Sequence, residues 1–92
     1  MEDSLFRALA DPTRRRILEL LSEKDRTAGE IAEQFPIAFA SVSHHLGVLK
    51  AAELVATERE GQFIRYRLNT TVFHDVVRYF MTRFGGGGEK DA

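Results

Sequence analysis

The stretch from Thr27 to Ala52 constrains this chain more than any other. Thr27 is followed three residues later by Glu30, the spacing of a capping box at a helix start. Ile31, Ala32 and Phe35 supply that segment's buried side, and Pro36 ends it. After a short connection, a further helix is predicted from about Phe39 to Ala52. Two helices joined by so tight a turn form a helix-turn-helix.

The flanks extend this frame. Residues 3–9 suit a short helix with Leu5, Phe6 and Leu9 on one side. Asp11-Pro12-Thr13 reads as a second helix start, because Asp11 can cap free amides and Pro12 suits the first helical position. Ile17, Leu18, Leu20 and Leu21 follow at helical spacing, with Arg14, Arg15 and Arg16 as a basic collar. Glu23-Lys24-Asp25-Arg26 is expected to be a polar connection. Beyond Ala52 the period changes to two. Val55–Arg59 and Gln62–Leu68 flank Glu60-Gly61, the pattern of a β-hairpin or wing. Residues 70–84 are predicted as a last helix, with Val72, Phe73, Val76, Val77, Phe80, Met81 and Phe84 forming a wide apolar stripe. The expected architecture is mainly α with a β-hairpin, a winged helix-turn-helix in the order α-α-α-α-β-β-α. It forms one domain over residues 1–84, followed by a flexible Gly-rich tail, 85–92.

Composition narrows the function classes. A chain of 92 residues buries a modest fraction of its surface, so apolar area covered in a dimer would help it. There is no Cys, so neither a disulfide framework nor a thiolate metal site can form. No apolar run approaches the ~18 residues of a membrane span, and the N-terminus is too acidic and short for a signal peptide. A cytoplasmic protein with no lipid partner is the default. The net charge of −1 is unusual for a nucleic-acid binder. Local distribution matters more than the total, because phosphates feel the field within a Debye length of ~8 Å.

A helical wheel over residues 39–50 separates two faces. Val42, Leu46 and Leu49 define the core side. Opposite lie Ala40, His44, Gly47 and Ala51, with Ser41 nearby and Ser43 and His45 on the flanks. A merely solvated face would usually carry Glu, Lys or Gln. This one is small, polar and uncharged, so it can lie close in a major groove, where Ser and His bond base edges or phosphate. Ser41, Ser43, His44 and His45 are therefore candidate DNA contacts. On the wing, Arg59 and Arg65, with Gln62 beside the turn and Arg67 further on, are candidates to grip phosphate. The competing reading pairs these arginines with Glu58 and Glu60 on a solvated hairpin. Two positions fit poorly. Ala38 stands where a capping Ser or Thr is expected, and Phe39 is expected to pack inward rather than read a thymine methyl.

In combination, these runs resemble the ArsR family of bacterial winged-helix repressors. The resemblance covers residues 4–84. It rests on Ala8-Leu9-Ala10-Asp11-Pro12-Thr13-Arg14, Ile17-Leu18-Glu19-Leu20-Leu21, Glu30-Ile31-Ala32, Val42-Ser43-His44-His45-Leu46, Val48-Leu49 and the Glu60-Gly61-Gln62 wing. Any one is weak; the set in this order is specific. It implies a homodimer that binds an inverted-repeat operator in double-stranded DNA and represses its own operon. Pairing through the first and last helices would involve Leu5, Leu9, Phe73, Val77, Phe80 and Phe84. The wing and Leu68-Asn69-Thr70-Thr71-Val72 are similar to members without a metal sensor, controlled by a membrane-bound immunity-type protein.

The family's metal sensors need cysteines where this chain has Ile31, Ala32 and Glu33, or paired ligands where it has only His74 and Asp75. Adjacent helical positions diverge by about 100°, too far apart for one tetrahedral ion. No metal or cofactor is expected, although a metal-responsive repressor is one alternative. A catalytic reading fails on the same geometry: Ser43 beside His44 or His45 has no carboxylate spaced to orient it. The remaining alternative is a winged helix that binds protein rather than DNA, which the net charge would suit.

Overall fold

Side chains that bond free amides set where the helices begin. The computed structural model describes residues 3–85; Met1, Glu2 and residues 86–92, most of the expected tail, lie outside the described residues. Helix α1 spans Asp3–Leu9 and α2 spans Pro12–Glu23. Asp11 caps α2, its Oδ2 accepting from the Arg14 amide at 3.0 Å. Helix α3, Ala28–Ala32, opens on a complete capping box. The Glu30 amide donates to Thr27 Oγ1 at 3.2 Å, and the Thr27 amide donates to Glu30 Oε1 at 2.8 Å. The helix closes before Phe35 through tight bonds from the Gln34 and Phe35 amides to Ile31 and Ala32 carbonyls.

Helix α4, Phe39–Ala51, starts at Ala38 without a side-chain cap, because alanine offers no acceptor. Its other end is better secured. The Glu53 amide donates to Lys50 O at 2.9 Å, and the Leu54 amide donates to Leu49 O at 3.0 Å, which together form a Schellman motif. Leu49 and Leu54 complete it as a fully buried apolar pair. The motif forces Glu53 to φ 62°, where a Cβ costs about 1–2 kcal/mol. Glu53→Gly removes that strain and returns part of it as unfolded-state entropy, about 0.5–1 kcal/mol. A net gain of roughly 0.5–1 kcal/mol in urea denaturation is expected.

Strand β2, Val55–Glu60, pairs antiparallel with β3, Phe63–Leu68, in a register that places Glu60 opposite Phe63. The loop is thus Gly61-Gln62. Gly61 takes φ 61°, the conformation that a two-residue hairpin of the II′ kind needs at its first position. The sheet has a third strand where a polar connection ending at Arg26 and a helix start at Thr27 were expected. Strand β1, Arg26–Thr27, pairs with the far edge of β3 as Arg26↔Tyr66 and Thr27↔Arg65, giving the order β1-β3-β2. Two residues carry no alternation of their own; the free edge of β3 supplies the pairing. Arg26 secures it, donating to Leu20 O at 3.1 Å and Glu23 Oε1 at 2.8 Å.

Helix α5 spans Thr70–Phe80 and continues as a π-helical turn, Met81–Gly85, where one uninterrupted helix was expected. A Cβ at residue 85 would stand 3.1 Å from the Met81 sulfur, a tight contact that the flexible methionine side chain would have to yield to. Ile17, Ile31, Val42, Leu46, Leu49 and Leu54 form the fully buried centre of the core. Leu5 and Ala8 of α1 join it. The α5 helix contributes no fully buried residue. Among the described residues, no helix is long and apolar enough to cross a membrane.

Candidate nucleic-acid interface

Helix α4 is locked on one side and open on the other. Val42, Leu46 and Leu49 are at most 1% exposed and fix it against α2 and α3. Ala40, Ser41, Ser43, His44, Gly47 and Ala51 are all exposed. The side chains of Ser41, Ser43 and His44 form no hydrogen bond or ion pair among the described residues, so their polar atoms are available to a ligand. The face is held rigidly by its back.

His45 is placed differently. Its ring turns towards the start of α2 and is half-buried, with Nδ1 3.1 Å from Arg14 Nη1 and 3.9 Å from Asp11 Oδ2. A guanidinium only donates, so Nδ1 is the acceptor in this contact. Three residues after Val42, His45 lies only about 60° from it on the wheel, on the side towards α2, which turns the ring inward and away from the open face. Arg14 also donates through Nε to Ala8 O at 2.9 Å and through Nη2 to Arg7 O at 3.1 Å. It closes the end of α1 while holding α4. In the sequence it was only one of three collar arginines. The collar is otherwise used locally, Arg15 on Leu9 O at 2.9 Å and Arg16 on Glu19 at 3.1 Å. Asp11 is held below the usual carboxylate range, first by the Arg14 amide, then, against some burial, by the nearby His45 and Arg14.

Phe39 reverses expectation. It is 55% exposed, and Ile37 before it is 41% exposed. Phe39 occupies the first position of α4, one turn ahead of Val42, at the exposed end of the helix.

The wing arginines divide. Arg65 Nε lies 3.0 Å from Glu60 Oε2. That bond, with Glu60, Glu30 and Asp25 all nearby, raises the guanidinium above its ordinary pKa. Glu30 in turn is lowered, first by the Thr27 amide and later by Arg65. Arg59 Nη1 donates to Gly61 O at 3.1 Å, which folds it over the turn beside exposed Gln62. Arg67 is exposed at the base of the wing, opposite Ala56, and pairs with no acid among the described residues.

The residues expected at a pairing face also separate. Leu5 is 6% exposed and belongs to its own core, because α1 turns Leu5 and Ala8 onto α2. Leu9 and Phe73 are half-buried and line an open apolar groove with Leu18 and Leu68. Val77, Phe80 and Phe84 do form a strip, with Met81 beside them; Val77 is 59% and Phe84 72% exposed. Phe6 joins it from α1, its ring 6.0 Å from that of Phe80. Among the described residues, no group of three or more His, Cys, Asp or Glu is placed to hold a metal ion.

Comparison with known proteins agrees with this geometry. A family described as a helix-turn-helix domain matches residues 9–58. The transcriptional repressor SdpR of Bacillus subtilis is 51% identical over 89 residues, 97% of this chain and 98% of that protein. The chain belongs to the ArsR family. The regulator KmtR of Mycobacterium tuberculosis is 45% identical over 79% of this repressor and 56% of its own length. An ArsR-like regulator from Rhodococcus superposes with a TM-score of 0.82 at 32% identity, over 96% of this repressor and 80% of that chain. A second ArsR-family structure, RHA00566, gives 0.80 at 30% identity over 88% and 84%. This ArsR-family chain is thus a winged helix-turn-helix regulator of transcription, in a family that does not catalyse reactions.

Proposed function

We propose that the chain is a homodimeric repressor that binds an inverted repeat in double-stranded DNA, with α4 in the major groove and the β2–β3 wing on the flanking backbone. One observation carries this reading: α4 presents Ser41, Ser43 and His44 without hydrogen-bond or ion-pair partners among the described residues, the His44 ring 5.8 Å from that of His45, on a helix whose opposite face is buried. Such side chains reach base edges, and small neighbours such as Ala40 and Gly47 let the helix approach closely. Arg59, Gln62 and Arg67 grip phosphate, and Arg65 contributes less because a phosphate must first displace Glu60. Dimerisation runs through Phe6, Val77, Phe80, Met81 and Phe84, the apolar strip that one protomer leaves open. The likeness to the transcriptional repressor SdpR supports repression; that the repressed operon is its own, and that release comes from a membrane-bound immunity-type protein rather than a metal, extends the family resemblance.

Binding measured across a salt series on operator and random duplexes tests the division of labour. His44→Ala is expected to narrow the gap between the two duplexes by about 1–3 kcal/mol and to leave the salt slope alone. Arg59→Ala is expected to weaken both in parallel and to lower the slope by about one unit, with a smaller change for Arg65→Ala. Loss of specificity in Arg59→Ala with none in His44→Ala would make the wing the reader. The net charge of −1 favours one other reading, a winged helix that binds protein. No salt-dependent duplex binding by the wild type would favour it.

A further inference from the structure

The exposed start of α4 has a chemistry that Ser41, Ser43 and His44 do not explain. Residues 36–41 are all exposed, and Ile37 and Phe39 place two large apolar side chains there, 41% and 55% open. More than half of Phe39 is open to solvent, and its ring forms no aromatic pair among the described residues. Phe39 and Ser43 stand one turn apart on α4, so the apolar group borders the polar reading face. In helix-turn-helix docking, the first residues of the recognition helix go deepest towards the base edges. The major-groove edge offers one apolar feature, the C5-methyl group of thymine.

The geometry points to Phe39 as a specificity residue that packs its ring on a thymine C5-methyl in each half-site. The ring adds no hydrogen bond. It discriminates by covering a methyl that other bases lack, and Ile37 borders the same contact from the turn. The absence of a capping side chain at Ala38 is consistent with this use, because no hydroxyl or carboxylate stands between the helix end and the base edge. This inference rests on the DNA-binding reading above, and it names a base feature that reading leaves open.

The test replaces each thymine of a selected duplex in turn with deoxyuridine, which removes only the 5-methyl group and keeps every hydrogen bond. Wild-type protein is expected to lose roughly tenfold in affinity at one thymine per half-site. Phe39→Ala is expected to bind the thymine and uracil duplexes equally, both near the wild-type affinity for uracil. Phe39→Leu, which keeps an apolar side chain, is expected to retain part of the discrimination. Because Phe39 is exposed, the thermal midpoint of both variants should stay with the wild type. Equal loss at uracil in wild type and Phe39→Ala, or no loss at any thymine, would overturn the assignment and leave the patch to a protein partner. If wild-type protein shows no sequence preference at all, the DNA-binding reading itself fails, and the two failures are distinguishable.

Discussion

Phe80→Asp is expected to raise the dimer dissociation constant by at least about a hundredfold, read by sedimentation equilibrium at micromolar concentration. The ring of Phe80 sits at the middle of the open strip, 6.0 Å from Phe6, 5.4 Å from Tyr79 and 5.7 Å from Phe84. A two-fold interface meets the substitution twice, and each copy would strip water from an unpaired carboxylate. Phe80 is also 42% exposed in the single protomer, so part of it belongs to the fold. Phe84→Asp separates the two effects, since that ring is 72% exposed and contributes little to its own chain. Both variants should be monomeric, and Phe84→Asp should keep the wild-type far-ultraviolet spectrum. A dimer that survives both changes would place the interface elsewhere.

Leu46→Ala should cost about 2–5 kcal/mol of stability, measured from urea midpoints at one fixed protein concentration. Leu46 is 1% exposed and sits between Val42 and Leu49, so truncation leaves a cavity in the seam that holds α4 to α2 and α3. A small domain has only about 5–15 kcal/mol in total, so the variant is close to unfolding. His44→Ala, two residues earlier on the same helix, should stay within about 0.5 kcal/mol of the wild type. The contrast separates the face that holds the helix from the face that reads. A large loss in His44→Ala would mean that His44 is packed rather than free.

Much of this frame is legible in the residues because it is local. Asp11 with Pro12, and Thr27 with Glu30, announce two helix starts through bonds that span three residues, and the structure forms both. Val42, Leu46 and Leu49 mark the buried side of α4 by spacing alone. What escapes the sequence is decided by distant partners. Strand β1 exists because Tyr66 and Arg65 offer an edge to Arg26 and Thr27, some forty residues away. His45 and Arg14 meet across thirty-one positions, and neither residue shows that in its own segment. Leu5 and Phe6 are neighbours of similar hydropathy, and only the packing of α1 on α2 sends one inward and the other towards α5. Phe39 misleads for a related reason: helical spacing puts it near the core face, but it stands at the first position of α4, beyond the buried seam of Val42, Leu46 and Leu49.

Selection of bound duplexes from a random pool, at one stated salt concentration, decides whether the chain reads inverted repeats as a dimer. A dimer that presents two α4 helices should enrich an inverted repeat whose half-site centres lie about one helical turn, ~34–36 Å, or a multiple of it apart. Enrichment should be lost when Phe80→Asp replaces the wild type. Recovery of sequences no different from the starting pool, or of a single unrepeated half-site, would contradict a dimeric reader of inverted repeats.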